Sequence, residues 1–485
     1  EILIPPVPPP TLLSDADLLR LFATAVGDAV YSDTIAGAAA IWMLYEDPSR
    51  KSVPTRSPAG WIQRYLLVYL YYSSTNNRAT TWLSCNPAIM DDTDEPLRKG
   101  GDELDTTITI TTPTDDDACR FTYPTELSDS DRIIYELVPS YRWLSGKDEC
   151  RWGGITCDDN TTVGTTTIHK TQSAVTSIIL ADQYLTGSMV TEVTQLPYLQ
   201  VLDLSHNGLT GTLHDGFHSS LQILRLQYNA LSGSIPSTFF DSNNNNSRMT
   251  ELNLGSNQLT GTIPSQIAVA SQMEELFLFN NQLTGTIPVE LGNMPLRIFH
   301  GHTNQLTGSV FPAFDTGNVE YSGGIGVNTI RVWWMYQNQM TGSIPTTIGS
   351  LFTNLEDLRI QNNNITGTLP DSISKLSNLF RLEVQSNLLS GTIPEDMGTA
   401  TQTATAAVIP TLRDVKLQFN SFTGGIPSAL CFLESMEVLE ADCLLPPTTL
   451  YSSVVPTATN TATTTNECYC CTTCCNPGTE KCVMY

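Results

Sequence analysis

Residues 273–288 read MEELFLFNNQLTGTIP. The same phrase returns as LQVLDLSHNGLTGTL over 199–213, LQILRLQYNALSGSIP over 221–236 and MTELNLGSNQLTGTIP over 249–264. Weaker copies begin near Val175, Leu296, Ile330, Leu355, Leu379 and Leu412. The shared pattern is LxxLxLxxNxLxGxIP. Its LxxLxL part alternates as a strand does. One copy alone cannot bury its leucines, so the copies must stack as successive coils. Each coil carries an Asn where the chain leaves the strand: Asn207, Asn229, Asn257, Asn281, Asn304, Asn338, Asn363, Asn387 and Asn420, with Gln183 at that place in the first coil. An amide there offers donors and an acceptor to backbone groups that a turn would otherwise leave unpaired. Neighbouring Asn positions are mostly 22–25 residues apart, with longer gaps of 28, 34 and 33 residues after Asn229, Asn304 and Asn387. The extra residues belong on loops, where insertions are tolerated.

This is the pattern of a leucine-rich repeat. Just before it, WLSGKDECRWGGITC (143–157) places Cys150, Trp152, Gly154, Ile155 and Cys157 as Cys-x-Trp-x-Gly-Ile-x-Cys. That motif, with the LxGxIP ending, resembles plant-type leucine-rich-repeat proteins, a class that includes receptor-kinase ectodomains and polygalacturonase-inhibiting proteins. The segment QRYLLVYLYYSST (63–75), followed by the later WLS…CxWxGIxC, is also similar to secreted repeat proteins of diatoms and related algae, with about 60 residues inserted between the two parts. The resemblance implies an α/β solenoid, a right-handed superhelix of about ten coils, with an α-helical N-terminal region, a Cys cap and a small Cys-rich C-terminal module. It also implies a Cys150–Cys157 disulfide.

Around this core the chain divides by composition. Residues 1–13 (EILIPPVPPPTLL) are an apolar, proline-rich tail. Residues 14–142 are expected to be mainly helical with an acidic insert. Ser14 caps a helix that ends at Gly27, a second helix covers Asp33–Tyr45, and a third starts at Ser57-Pro58. Thr106–Thr112 alternates like a strand, and Ser130–Val138 fits a fourth helix. The cap spans 143–174, the solenoid and its C-cap 175–443, a Thr/Pro-rich linker 444–467, and a Cys-rich module 468–485.

A net charge of −25 argues against a nucleic-acid partner. Twelve cysteines indicate an oxidising compartment. Besides the cap pair, Cys85–Cys119 and Cys431–Cys443 are the remaining pairings. Cys468, Cys470, Cys471, Cys474, Cys475 and Cys482 are expected as three disulfides whose connectivity is open, in preference to a thiolate metal cluster. Sequons at Asn160, Asn245 and Asn364 point to N-glycans, and the Thr-rich linker to O-glycans. No apolar run reaches the ~18 residues of a transmembrane helix, and the first residue is Glu rather than Met. A secreted or cell-surface glycoprotein is therefore expected.

The site hypothesis follows from strand alternation. The residues flanking the middle leucines face outward on the concave sheet: Asp203/Ser205, Arg225/Gln227, Asn253/Gly255, Phe277/Phe279, His300/His302, Trp334/Tyr336, Arg359/Gln361, Glu383/Gln385 and Lys416/Gln418. Three consecutive coils thus bring together Phe277, Phe279, His300, His302, Trp334 and Tyr336. The patch is either a contact site for a protein or sugar or a surface covered by the chain's own excursion near Tyr321. His300 and His302 have no third ligand, so no metal is assigned. The acidic runs at Asp91–Glu95 and Asp115–Asp117 lack calcium-loop spacing. No nucleophile, metalloprotease or nucleotide motif is present, and neither an enzyme nor a cofactor is expected.

Two functions fit. The first is a self-assembling subunit of an extracellular filament or matrix, joined head to tail, with Ile2, Leu3, Ile4 and Val7 as a donated segment. The alternative is a soluble recognition protein or inhibitor that binds a peptide, glycan or hydrolase on its concave face.

Overall fold

The computed structural model describes residues 15–26, 35–41, 43–44, 58–74, 118–127, 133–141, 152, 154–158, 174–188, 193, 196–213, 220–240, 248–312, 329–397, 412–431, 433, 435–442, 471, 473–476 and 481–484. Several sequence expectations fall outside these residues: the tail with Ile2, Leu3, Ile4 and Val7, the Thr106–Thr112 strand, and the excursion around Tyr321. So do the linker, the sequons at Asn160 and Asn245, and at least one member of each named cysteine pair. The chain divides into two compact units, Glu1–Leu231 and Ser232–Tyr485.

In the first unit three helices precede the repeats: α1 (Asp15–Val26), α2 (Ile35–Ile41) and α3 (Pro58–Ser74). Asp15 and Asp17 sit in the first turn of α1, where they complement the helix dipole. Leu18 and Phe22, four residues apart on α1, are buried, and Phe22 packs on α3. There the Phe22 ring stacks on Tyr65 at 4.4 Å, and the Tyr65 hydroxyl donates to the Ala36 carbonyl of α2 at 3.0 Å.

The other side of α3 seals the first coils. Gln63 Oε1 accepts the Val175 N–H at 2.9 Å, Ser73 Oγ donates to the Ser188 carbonyl at 3.0 Å, and Thr186 Oγ1 donates to the Ser74 carbonyl at 3.3 Å. The fully buried Arg64 places its guanidinium 4.6 Å from the centre of the Trp152 ring. The polar residues that interrupt the apolar run of this helix are thus its contacts with the repeats. Gly187 makes the closest approach: its φ is +84°, and a Cβ there would lie 2.5 Å from the Ser73 carbonyl oxygen. We expect Gly187→Ala to destabilise the helical layer selectively, by about 2 kcal/mol from the left-handed backbone and the displaced helix end. Hydrogen exchange in residues 58–74 should quicken while residues 251–361 keep their protection.

The fourth expected helix, Ser130–Val138, is not one. Ile133–Tyr141 is a strand paired antiparallel with Ala118–Leu127, from Ala118↔Tyr141 to Leu127↔Ile133. Ile133, Ile134, Tyr135 and Val138 have strand propensity. A partner strand only a short loop away overrides the weak capping signal at Ser130.

The repeats of the first unit begin with Ile155–Asp158, antiparallel to Ala174–Ile179, which is followed by the parallel strands Val201–Asp203 and Ile223–Arg225. In the second unit, Glu251–Asn253, Glu275–Phe277, Ile298–His300, Val332–Trp334, Asp357–Arg359, Arg381–Glu383, Asp414–Lys416 and Val438–Asp442 pair in parallel, in that order. Their central residues, Leu252 through Leu439, lie side by side and are buried. The Cys-rich module extends the same sheet. Thr473–Asn476 pairs in parallel with Val438–Asp442, and Lys481–Met484 returns antiparallel. A second parallel sheet, formed by Ser232–Ser234, Gln258–Thr262, Gln282–Thr286, Gln305–Ser309 and Gln339–Thr341, comes from the xLxGx half of each coil.

The Asn ladder ties coil to coil. Asn338, for example, accepts the backbone N–H of Leu306 at 3.0 Å through Oδ1 and donates through Nδ2 to the Gly301 carbonyl at 3.0 Å. Asn304, Asn363, Asn387 and Asn420 repeat the arrangement. In the last coil Asp442 takes over the acceptor role, receiving the N–H groups of Phe419 and Asn420.

Candidate recognition surface

Strand register puts Phe277, His300, Trp334 and Arg359 in one row across four neighbouring strands. Two residues further along each chain, Phe279, His302, Tyr336 and Gln361 form a second row on the same outward face. The structure therefore brings all six ring-bearing residues together.

The rings pack on one another. In the first row Phe277 meets His300 edge to face at 4.9 Å, His300 stacks on Trp334 at 3.9 Å with planes 5° apart, and the Arg359 guanidinium lies 3.9 Å from the Trp334 centre. In the second, Phe279 stacks on His302 at 5.1 Å and His302 on Tyr336 at 4.1 Å. Gly255, in the same row on the preceding strand, leaves room for this second stack. A Cβ there would come within 2.3 Å of Phe279 Cε1. The repeat pattern alone gives this glycine no role; on the following strands the same outward position carries Phe279, His302, Tyr336 and Gln361.

The hydrogen bonds around His302 match its Nδ1–H tautomer. Thr303 Oγ1 donates to Gln337 Oε1 at 2.9 Å, so it accepts from His302 Nδ1, 3.1 Å away. His302 Nε2 is then the bare nitrogen and receives the Tyr336 hydroxyl at 3.3 Å. Burial holds both imidazoles neutral. His300 is pushed down to about 3, with His302 and Arg359 adding to the effect, and His302 to about 4, with Arg359 adding. Around neutral pH the patch is an uncharged aromatic surface bounded by one cation. That cation is itself held, since Arg359 donates to Asp357 from Nε at 3.0 Å and from Nη2 at 3.0 Å.

Beyond Arg359 the outward face becomes ionic. Arg381 reaches both Asp357 at 3.3 Å and Asp414 at 3.0 Å, and Lys416 lies 3.2 Å from Glu383. The expected Asn364 sequon is exposed on the turn that follows Asn363.

Residues 198–219, 220–242, 248–269, 272–294 and 354–376 match the Leucine Rich Repeat family model. Together with the parallel sheet and the Asn ladder, they define a leucine-rich-repeat solenoid. Within that class the similarity is to plant receptors. The chain is 36% identical over 88 residues to Receptor-like protein 3 of Arabidopsis thaliana, covering 18% of this chain and 10% of that protein. It is 29% identical over 96 residues to Receptor-like kinase TMK4 of the same plant, covering 19% and 9%. Among solved structures it resembles the ectodomain of the Arabidopsis membrane receptor kinase GASSHO1/SCHENGEN3, in complex with Casparian strip integrity factor 2. The identity is 28% and the TM-score 0.51, over 62% of this chain and 33% of that one. The matched segments span about a tenth of the curated relatives' own length. Among the described residues no helix is long and apolar enough to cross a membrane.

Proposed function

We propose that this chain is an extracellular recognition protein that binds a peptide, or an extended segment of another protein, on the outward face of its parallel sheet. The observation that carries this reading is the six-ring cluster on three consecutive strands, stacked into two rows and neutral around pH 7. The stacking also argues for the class of ligand. Trp334 lies between His300 and Arg359, and His302 between Phe279 and Tyr336, so these ring faces are occupied by neighbours. A pyranose would need an open face. The edges left over suit apolar side chains and backbone carbonyls.

The similarity to an ectodomain solved with a bound factor supports a binding role, and three disulfide-bonded cysteines among the described residues, Cys157, Cys431 and Cys471, support an extracellular setting. Assembly into a filament has less support, because the residues invoked for it lie outside the described ones.

The test is selection of a displayed random-peptide library against the full chain, with the Trp334→Ala/Tyr336→Ala variant as comparator. Selected peptides should bind that variant at least about 10-fold more weakly, the effect of losing two central aromatic anchors. Binders that hold the variant equally well would place recognition elsewhere.

A further inference from the structure

The row that holds Phe279, His302 and Tyr336 continues as Gln361, Gln385 and Gln418 on the next three coils, and it carries a chemical imbalance. Gln361 donates its amide nitrogen to Glu383 Oε2 at 2.8 Å, and Gln418 donates to Glu440 Oε2. A carboxylate accepts only, so these contacts fix which end of each amide is which. The carbonyl oxygens of Gln361 and Gln418 then have no donor, although these residues are 8% and 5% exposed, and Gln385 Oε1 between them also lacks one. Asp414 Oδ1, on the same face, has none either. A buried acceptor without a donor is left without the partner that water would supply, and here several lie along adjacent strands roughly 4.8 Å apart.

The cations of this face do not supply the missing donors. Arg359 is held by Asp357, Arg381 by Asp357 and Asp414, and Lys416 by Glu383. Acidic groups outnumber them, with Asp357, Glu383, Asp414, Glu440 and Asp442 against Arg359, Arg381 and Lys416. The chain as a whole carries −25, which draws in basic partners.

We infer that the Gln361–Gln385–Gln418 row is a specificity subsite for an arginine side chain of the bound peptide, adjoining the aromatic anchor site. A guanidinium is planar, is charged at every working pH and offers five N–H donors, enough to reach neighbouring carbonyl oxygens together. The ligand class is thereby narrowed from a peptide in general to one with an arginine beside its apolar anchor. The inference rests on the recognition reading above, and the experiment separates the two.

Two pools of randomised decapeptides are compared, identical except for a fixed central arginine in one and a fixed central citrulline in the other. Retention is measured on the full-length wild type, on Gln361→Leu/Gln418→Leu and on Trp334→Ala/Tyr336→Ala. The wild type should retain the arginine pool about 10-fold better than the citrulline pool, the range of one charge-assisted contact. The leucine variant should lose that preference while holding the citrulline pool as the wild type does. Gln385→Glu, which leaves the carboxylate contacts of Gln361 and Gln418 in place, should raise the preference and guards against misfolding of the leucine variant. Equal retention of the two pools by the wild type, or an undiminished preference in the leucine variant, overturns the arginine subsite alone. Retention by the wild type no better than by Trp334→Ala/Tyr336→Ala, for both pools, overturns the recognition reading and the subsite with it.

Discussion

Replacing Asn281 with alanine should destabilise the second unit by about 3–4 kcal/mol. Asn281 Oδ1 accepts the Leu259 N–H at 3.0 Å, and its Nδ2 donates to the carbonyls of Leu254, Leu278 and Phe279. The carbonyls are partly insured. Leu254 also receives Asn257, Leu278 also receives Asn304, and Phe279 also receives the Ser256 N–H. The Leu259 N–H is the group left without a partner, at about 1–3 kcal/mol. The weakened carbonyl contacts add the remainder at about 0.5–1 kcal/mol each. The side chain of the neighbouring Asn280 is exposed and donates to Ser256 Oγ at the surface. Asn280→Ala should therefore cost about 1 kcal/mol, most of it from placing alanine at a φ of +51°. Chemical denaturation of both variants checks the ranking. Equal losses would mean that the ladder amide is dispensable.

Acid should weaken the fold through the same patch that is proposed to bind. In the unfolded chain both imidazoles take up protons as the pH falls through about 6.5. In the folded protein His300 and His302 stay neutral until about 3 and about 4. Between those limits the unfolded state binds more protons, so stability falls as pH falls and is flat above about pH 7. The two histidines together contribute a loss of about 3–5 kcal/mol between pH 6.5 and 4, tempered by their partial exposure. Protonation of His302 at Nε2 would also reverse its bond to Tyr336, whose hydroxyl would have to turn and accept. The wild type and His300→Phe/His302→Phe should therefore diverge in denaturation midpoint as the pH is lowered, the variant showing the shallower decline. Parallel pH profiles would contradict the neutral, buried state of the pair.

Much of this was readable in the sequence, and the reason is periodicity. A strand of period two inside a repeat of near-constant length assigns each residue to the core or to the outward face. That is how Phe277, His300 and Trp334 could be placed in one row despite the 34-residue step from Asn304 to Asn338. What failed was structure set by distant partners. Ile133–Tyr141 is a strand because Ala118–Leu127 pairs with it. Gln63 and Arg64 looked like interruptions of an apolar helix, yet they are contacts to Val175 and Trp152, more than 80 residues away. The strands of the Cys-rich module join Val438–Asp442 across a linker whose composition gives no hint of pairing. The glutamine row was visible as a set of outward positions. Its shortage of donors was not, because that depends on which carboxylates claim the amide nitrogens.

Covalent mapping of a bound peptide tests the recognition surface most directly. The tightest peptide from the library selection would carry a photoreactive benzoylphenylalanine at its anchor position, be crosslinked to the full-length protein, and be located by mass spectrometry. Crosslinks are predicted in residues 275–279, 298–302, 332–336 and 357–361, and they should disappear in Trp334→Ala/Tyr336→Ala. Crosslinks confined to the second sheet, residues 258–262, 282–286 and 305–309, or to the helices at 15–74 would contradict the assignment of binding to the stacked rings.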